Sequence, residues 1–329
     1  MKTIESDKVL IFHSPLSENA PADELDVLDQ AELFLEGLEK SGYNAQIITF
    51  PYDLAFVEEI IRRNNPWFIV NLVETLFADG KLVHLAPFVF EHFNIPYTGN
   101  SAHTIYLTSH KILSKKFMRL NEINTPDFFI YDELIEKESL VNQRPFLVKS
   151  IWEHASYGMD ENTQLLFQTE EELTERLQKE KNPRDFFCEE YIHGREFNLS
   201  LLASKQGPEV LPPAEIKFQY PPEKARILGY KAKWDEDSFE YKNTVRTFEF
   251  GENDSFLIEK LKETALRCWD VFGLKGYARV DFRVDESGSI YVLEINANPC
   301  ISPDSGFVAA AKQANIDTVG LVKRIVEDI

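Results

Sequence analysis

Two strand-like runs near the C-terminus, joined by a short polar turn, constrain the fold of this chain more than any other feature. The runs cover residues 277–284 and 290–296, and the five residues between them read Asp-Glu-Ser-Gly-Ser. Such a segment is typical of a β-hairpin turn, because Gly, Asp and Ser tolerate the backbone angles that a chain reversal requires. The sequence therefore predicts an antiparallel hairpin whose turn is centred on Ser287 and Gly288.

The predicted hairpin has one apolar face and one polar face. Side chains alternate between the two faces of a strand, so the register decides which residues lie together. The opposed pairs expected on the apolar face are Phe282 with Leu293 and Val280 with Ile295. Those expected on the polar face are Asp281 with Glu294 and Arg279 with Asn296.

The polar face of the hairpin has the donors of a metal and phosphate site. Directly opposed residues have Cβ atoms about 4.5–5.5 Å apart, and two carboxylates that close repel each other unless they share a cation. Mg²⁺ prefers a few carboxylates together with phosphate oxygens, and an arginine can hold phosphate in a fork. The alternative is an ordinary hairpin whose acids align on a solvated face without a function.

Composition and charge exclude several classes of protein. The 329 residues, 43% of them hydrophobic, suffice for two or three domains with their own cores. A net charge of -20 disfavours a nucleic-acid-binding protein, which needs a basic surface. Cys188, Cys268 and Cys300 lie far apart in the sequence and are expected to be small buried hydrophobes. Residues 1–8 lack an apolar signal core and no apolar run reaches about 18 residues, so we expect a cytoplasmic protein that binds no membrane.

The first hundred residues alternate between strand and helix patterns. Strands are predicted at residues 9–12, 45–50, 67–73 and 95–99, and helices at 54–63 and 82–93. Another helix is indicated by Leu25, Leu28, Leu35 and Leu38, with Gly42 where a glycine commonly ends a helix. The alternation predicts an α/β domain with a parallel, doubly wound sheet. No glycine fingerprint of a dinucleotide site follows the first strand.

Beyond residue 101 the pattern changes to a mixed α+β arrangement. A helix is predicted to carry Lys111, Lys115 and Lys116. Strands are then predicted at residues 145–150 and 186–191, helices at 169–181 and 256–272, and a long polar loop at 220–240.

The hairpin motif resembles that of a known enzyme family. Arg279-Val280-Asp281, then Leu293-Glu294-Ile295-Asn296 with Asn298-Pro299, is similar to the metal motif of ATP-grasp ligases, particularly the D-alanine–D-alanine ligase branch. The resemblance implies an ATP-grasp fold (central part 104–188, C-terminal part 189–329) behind an N-terminal Rossmann-like domain of residues 1–103. It also implies that Asp281, Glu294 and Asn296 bind two Mg²⁺ ions, with Mn²⁺ as an alternative, and that Arg279 stabilises the transferring phosphoryl group.

Further motifs of the same family follow in order from about residue 95. The ATP-binding residues that the resemblance implies are Lys111, Lys149 and Lys233 for the phosphates, Glu189 for the adenine amino group, Glu190 and Ile192 for the hinge, and Glu196 for the ribose hydroxyls. Residues 153–158 correspond to the phosphate lid, and Ser156 within them is implied to act in catalysis together with Arg279 and Lys233.

The segments that would bind the first substrate depart from the family's pattern. The family's glycine-rich segment, with a glutamate for the first amino acid's ammonium, has no counterpart at residues 14–24. Glu24 can take over that role, or it can simply stabilise the start of a helix. Leu72-Val73-Glu74 replaces a His-Gly stretch after the third strand.

The segments that would bind the second substrate depart less. Cys300 replaces the glycine that usually follows Pro299, and its role in the acceptor site is left open. Ser305, with Gly306 beside it, falls where the family uses a serine for the acceptor's carboxylate. Trp234 stands after the loop lysine, where the family has a residue that bears on acceptor choice.

The resemblance as a whole implies an ATP-dependent carboxylate–amine ligase. The leading hypothesis is formation of a dipeptide, as in D-alanyl-D-alanine, through an acyl phosphate, with release of ADP and phosphate. One alternative keeps the chemistry and changes the partners to an L-amino acid or a non-amino-acid carboxylate. The other is a nucleotide-binding regulatory protein without turnover. The expected partners are amino acids rather than nucleic acid, and the family suggests a homodimer.

Overall fold

Three parallel strands form the first sheet of the computed structural model, which describes residues 8–17, 19–77, 79–136, 144–152 and 165–329. The strands β1 (Lys8–His13), β2 (Asn44–Thr49) and β3 (Phe68–Leu72) lie in the order β2-β1-β3. Helices cover both faces and are α1 (Ala22–Lys40), α2 (Leu54–Asn64) and α3 (Leu85–His92). The centre of β1, Val9 to Phe12, is fully buried, as expected for a parallel strand covered on both faces. Gly42, with φ of 89°, follows the end of α1 as predicted.

Two elements of this domain differ from the prediction. The helix expected at 82–93 begins at Leu85, after a 3₁₀ turn at Gly80–Leu82, because a longer helix would place Pro87 in its interior. The strand expected at 95–99 is reduced to a parallel bridge between Ile69 and Tyr97, after which Gly99, with φ of 84°, turns the chain away.

The second sheet is small and antiparallel. Before it, α4 (Ala102–Ser109) and α5 (Lys111–Leu120) follow the first domain. The sheet has the order β4-β6-β5, and its part of the chain contains β4 (Phe128–Ile130), α6 (Tyr131–Glu136), β5 (Phe146–Ser150), α7 (Glu170–Gln178) and β6 (Phe186–Glu190). Thr169 and Glu172 form a capping box that begins α7, and Leu173 and Leu177 bury its inner face.

The third sheet carries the predicted hairpin. Its main path is β10-β9-β7-β11-β12, with β8 beside β7. The elements in chain order are β7 (Gly194–Leu202), β8 (Glu209–Val210), β9 (Ala214–Phe218), α8 (Tyr230–Trp234), α9 (Phe239–Lys242), β10 (Thr244–Thr247), α10 (Ser255–Phe272), β11 (Tyr277–Asp285), β12 (Ile290–Asn296), α11 (Gly306–Gln313) and α12 (Thr318–Val326). The prediction of a loop at 220–240 was wrong in part, because α8 and α9 are too short for their apolar spacing to show in the sequence.

The hairpin register is confirmed on the polar face and wrong at one apolar pair. Arg279 lies opposite Asn296, and Asp281 lies opposite Glu294. A β-bulge follows, so that Phe282 lies opposite Val292 and not opposite Leu293. The extra residue lets both Phe282 and Val292 point into the core, where each is fully buried.

The last two helices close the molecule against its beginning. Phe307 of α11 and Leu321 of α12 share one apolar core with Val9 and Val70 of the first sheet. Gly37 of α1 allows the close approach, because a Cβ at this position would lie 2.6 Å from Val322 Cγ2. The polar face of the hairpin is thereby held next to the carboxyl ends of the parallel strands. Within the described part of the chain, no helix is both long and apolar enough to cross a membrane.

Candidate active site

A cavity of about 550 Å³ lies between the first sheet and the third. Its volume suits small molecules. The N-terminal domain contributes a group of acids to its wall, which are Asp23, Glu24, Asp26 and Glu74. The C-terminal part contributes most of the predicted site residues in the wall, which are Lys233, Trp234, Arg279, Asn296, Ser305 and Gly306.

The polar face of the hairpin is held by a fork of hydrogen bonds. Arg279 donates to Asp281 through Nε to Oδ1 at 2.8 Å and through Nη2 to Oδ2 at 2.8 Å. Asn198 of β7, which the sequence analysis missed, also donates to Asp281 Oδ1, at 2.7 Å. Burial opposes the charge of Arg279, but Asp281 and Glu294 outweigh it and raise the pKa of the guanidinium. The arginine and the acids are therefore one charged unit.

The donors on this face fit a magnesium ion. Asp281 and Glu294 oppose each other across the two strands, and Asn296 follows two residues later on β12. Among the described residues, no three His, Cys, Asp or Glu side chains are grouped as a metal site. Two carboxylates and one amide would leave most positions around Mg²⁺ to phosphate and water, which is how this ion is usually bound with nucleotides.

A buried cluster of two lysines and one glutamate lies next to the hairpin. Glu189, 1% exposed on β6, forms ion pairs with Lys149 of β5 and, at 2.5 Å, with Lys115 of α5. Lys115 Nζ also donates to Thr125 Oγ1 at 2.8 Å and to the carbonyl of Leu293, the bulged residue of β12, at 3.2 Å. Burial opposes the charge of Glu189, but the two lysines outweigh it and lower the pKa of this carboxyl. The cluster connects the predicted adenine and phosphate residues to the metal strand.

Lys115 was missed as a site residue. The only signal in the sequence was its spacing of four residues from Lys111, which places both on one face of a helix. Lys111 itself is the first residue of α5, and its backbone N–H donates to the Ile151 carbonyl at 3.1 Å. Ser156 and the rest of the predicted phosphate lid lie outside the described residues.

The predicted ribose and hinge residues lie at the junction of β6 and β7. Glu196 is buried and pairs with Arg283 of β11 at 2.8 Å, an arginine that the sequence analysis did not assign. Burial is the main reason why the pKa of Glu196 is raised. Glu190 accepts from Arg144 at 2.8 Å, and Ile192 is 3% exposed. Their contacts with a nucleotide stay predictions.

The predicted loop lysine lies on α8, against the cavity. Burial lowers the pKa of Lys233, and the attraction of Glu294 is the next largest influence and raises it. The net effect is a lowered pKa. The indole Nε1 of Trp234, beside it, is buried and has no hydrogen-bond partner among the described residues. The Tyr230 hydroxyl donates to Asp23 Oδ1 at 3.0 Å, so α8 is tied to α1 across the cavity.

The acidic end of the cavity contains a hydrogen-bonded chain. Gln30 donates to Asp26 Oδ2 at 3.1 Å and to Glu74 Oε1 at 3.0 Å. Burial, partly offset by the hydrogen bond from Gln30, raises the pKa of Glu74 to about 7. Glu24, the predicted ammonium ligand, lies near them and accepts from the Ser17 hydroxyl at 3.1 Å. A cationic group fits this end better than an anionic one.

Cys300 is part of the same wall. Its thiol donates to Asp26 Oδ2, with an Sγ–Oδ2 distance of 2.9 Å. Burial and the nearby acids Asp26 and Glu74 raise the pKa of the thiol. A raised pKa favours the neutral thiol, which acts here as a hydrogen-bond donor to Asp26.

The start of α11 also lines the cavity. The Ser305 hydroxyl accepts from the backbone N–H of Val308 at 3.2 Å and so caps the helix, of which Gly306 is the first residue. Arg246 of β10, not assigned from the sequence, lies over Gly306 and donates to the Asp304 carbonyl at 3.5 Å. Arg246 and Arg279 therefore place positive charge in this wall, where Asp304 is the acid beside Arg246.

The fold and the paired carboxylates facing buried lysines together define an ATP-grasp protein. The family model of the D-ala D-ala ligase C-terminus matches residues 112–327, and the chain belongs to that family. It is 31% identical to the uncharacterized protein y4sG of Sinorhizobium fredii, over 79% of this chain and 73% of the relative. It is 29% identical to a D-alanine–D-alanine ligase of Thermotoga petrophila, over 91% of both chains.

A solved structure supports the same fold. The D-alanine–D-alanine ligase of Bacillus anthracis, crystallised with ATP, superposes with a TM-score of 0.73 at 20% identity. The match covers 98% of this chain and 96% of that one. The predicted α/β ATP-grasp fold is thereby confirmed, whereas the roles of the individual site residues stay predictions.

Proposed function

We propose that this chain is an ATP-dependent carboxylate–amine ligase that forms a dipeptide bond through an acyl phosphate. The observation that carries the proposal is the hairpin, on which Asp281 and Glu294 oppose each other with Arg279 forked onto Asp281. The activity named for the Thermotoga petrophila relative, which aligns with 91% of this chain, supports the same reaction.

The first half of the reaction is phosphoryl transfer. A carboxylate oxygen of the first substrate attacks the γ-phosphorus of ATP, and the bond from that phosphorus to ADP breaks. Arg279, Lys149 and Lys233 neutralise the charge on the transferring group, so catalysis rests on positioning and electrostatics. Magnesium held by Asp281, Glu294 and Asn296 would supply further positive charge to the phosphates. Glu189, Glu190, Ile192 and Glu196 are proposed to hold adenine and ribose.

The second half is amide formation. The amine nitrogen of the second substrate attacks the acyl carbon, phosphate leaves, and the nitrogen loses a proton. Water must be excluded because an acyl phosphate hydrolyses. The hydrogen bond from Tyr230 to Asp23 holds α8 across the cavity, and this contact supports a closed site.

The acidic and the basic groups of the cavity wall indicate amino acids as substrates. The acids Glu24, Asp26 and Glu74 suit the ammonium group of the first amino acid. Ser305 and the start of α11 suit the carboxylate of the second, since helix N-termini attract anions. D-Alanine is the first candidate for both positions, given the relatives. We further infer a cytoplasmic enzyme that works on small molecules and forms a homodimer, which light scattering after gel filtration would test.

The ligase proposal is tested by product formation and by one substitution. The protein is incubated with ATP, Mg²⁺ and a panel of D- and L-amino acids, and phosphate release and dipeptide mass are measured. Glu294→Gln should lower kcat by at least about a hundredfold, as expected when charge stabilisation of a transition state is lost. Mn²⁺ in place of Mg²⁺ should also support turnover.

The matched control is Glu286→Gln, in the turn of the same hairpin. Glu286 is 84% exposed and contacts only His193 at 3.4 Å among the described ion pairs, so kcat should stay unchanged. Nucleotide binding without any amide product would contradict the ligase and favour a regulatory nucleotide-binding protein. Full activity of the Glu294 variant would contradict the metal assignment alone.

A further inference from the structure

Arg246 is an arginine of the cavity wall that the family motifs did not assign. It lies on β10, opposite Ile216 of β9, at one edge of the third sheet. Arg279 and Ser305 line the cavity together with it. Its side chain is accessible from the cavity, so a bound molecule can reach it.

The guanidinium of Arg246 has no carboxylate partner among the described residues. Arg279 forks onto Asp281, and Arg283 pairs with Glu196. Within the described part of the chain, Arg246 donates only to the backbone carbonyl of Asp304, at the long distance of 3.5 Å. An arginine carries five N–H donors and stays charged, so most of its hydrogen-bonding capacity is available to a ligand.

The surroundings of Arg246 favour a bound anion. Partial burial and repulsion from Arg279 lower the pKa of this guanidinium, and the attraction of Asp304 opposes them. A Cβ on Gly306 would lie 3.5 Å from Arg246 Nη2, so the guanidinium packs over the first residue of α11. The guanidinium of Arg246 and the N-terminus of α11, which carries a partial positive charge, therefore lie next to each other in the cavity wall.

The shape of the anion follows from these donors. A carboxylate accepts two parallel hydrogen bonds from a guanidinium fork, and the nearby helix start offers backbone N–H groups to the same oxygens. The acids Asp26, Glu74 and Glu24 in the cavity wall repel carboxylates. An amino acid acceptor is therefore expected to place its carboxylate at Arg246.

We propose that Arg246 determines acceptor specificity by binding a carboxylate of the amine substrate between its guanidinium and the start of α11. This inference rests on the proposed ligase function and adds Arg246 to the residues that contact the acceptor. The carboxylate is either that of the amino acid backbone or that of an acidic side chain, and both place the same chemistry in the same position.

The test compares acceptors that differ only in their carboxylates. Alanine, alaninamide and the α-amide of aspartate are offered as acceptors in both stereochemical forms, with ATP, Mg²⁺ and one donor amino acid. In the wild-type enzyme, kcat/KM should be higher for a carboxylate-bearing acceptor than for alaninamide. Arg246→Gln should reduce that preference by about ten- to a hundredfold, the range for a lost hydrogen bond to a charged group.

Further variants separate specificity from a structural role. Arg246→Lys keeps the charge and loses the fork, so it should restore part of the preference. KM for ATP should stay unchanged in both Arg246 variants, since only the acceptor is contacted. The matched control is Arg184→Gln, which breaks an exposed pair with Asp132 at 3.0 Å, away from the cavity, and should leave the preference as it is.

The outcomes distinguish this inference from the ligase proposal. If Arg246→Gln loses the preference for alanine over alaninamide, Arg246 binds the backbone carboxylate. If it loses the preference for the α-amide of aspartate over alaninamide, Arg246 binds the side-chain carboxylate. An unchanged preference in Arg246→Gln, while amide still forms, overturns the inference and leaves the ligase intact. Absence of amide from every acceptor in the wild-type enzyme overturns the ligase function and this inference with it.

Discussion

Glu74 has an environment that differs from that of an ordinary surface acid. Burial raises its pKa from 4.5 to about 7, although Gln30 donates a hydrogen bond to it. Its position in the acidic wall of the cavity means that a bound ammonium would favour the ionised form. Binding of the first amino acid should therefore release a proton from Glu74 at neutral pH.

Glu74→Gln should change the pH dependence of stability. Because the pKa in the folded protein lies above the value of 4.5, the folded state binds more protons between pH 4.5 and about 7. Below pH 4.5, protonated Glu74 makes its full contribution to the free energy of unfolding. That free energy falls as the pH rises from 4.5 to about 7. The variant lacks this loss, so relative to wild type it should gain about 3 kcal/mol between pH 4.5 and pH 8.

Urea unfolding of Glu74→Gln and wild type at several pH values measures this gain. Glu59→Gln, an exposed acid on α2, is the control and should show no such trend. A constant difference between Glu74→Gln and wild type across the pH range would show that folding does not raise the pKa of Glu74.

Single residues were predictable where the sequence places them close together. Asp281, Glu294, Arg279 and Asn296 belong to one hairpin, and the alternation of faces was enough to bring them together. Glu74 and Arg246 come from strand ends and edges far apart in the chain. Their proximity to the cavity depends on tertiary packing, which has no signal in a local pattern.

At the scale of elements, Lys115 connects three pieces of secondary structure. From α5 it pairs with Glu189 on β6 and donates to the carbonyl of Leu293 on β12. The bulge at Leu293 provides that carbonyl, because the extra residue interrupts the regular pairing of β11 with β12. Neither the bulge nor its lysine followed from the alternating pattern, which predicts regular register only.

Lys115→Met should destabilise the protein and weaken its site. Removal of one partner from a buried ion pair costs about 3–5 kcal/mol, and the remaining pair of Glu189 with Lys149 places the loss at the lower end. Urea unfolding measures the stability, and KM for ATP reports on the position of Glu189. Lys116→Met, the exposed neighbour on α5, is the control. Equal unfolding midpoints for Lys115→Met and wild type would contradict a structural role of this cluster.

Elements were predictable where their pattern is long. The helix α10 and the strands β1 and β3 follow from periodic or continuous apolar residues. The short helices α8 and α9 did not, because four or five residues carry no readable period. Lys233 and Trp234 lie on α8, so the sequence predicted the wrong secondary structure for the part of the site that lies over the cavity.

At the scale of the molecule, Asn100 joins the first domain to the hairpin. It follows the last bridge of the first sheet and is 1% exposed. Its amide nitrogen donates to the carbonyl of Tyr277 at 3.0 Å and to that of Ala297 at 2.6 Å, while its Oδ1 accepts from the N–H of Lys275 at 2.7 Å. One side chain therefore holds both ends of the metal hairpin against the N-terminal domain.

Asn100→Asp tests whether the hydrogen bonds of Asn100 stabilise the protein and hold the hairpin in its active position. Aspartate keeps the acceptor for Lys275 but cannot donate to Tyr277 and Ala297, and it places a buried charge against two carbonyl oxygens. The free energy of unfolding should fall by about 3 kcal/mol or more, as expected for two lost buried hydrogen bonds. Because the hairpin carries the proposed metal ligands while the acids of the first domain line the same cavity, kcat/KM should fall as well. The control for urea unfolding and activity is Asn121→Asp, because the Asn121 amide donates, among the described residues, only to the Phe117 carbonyl one turn earlier, at 2.9 Å. Unchanged stability in Asn100→Asp would mean that the shared core of α11, α12 and the first sheet alone holds the two halves together.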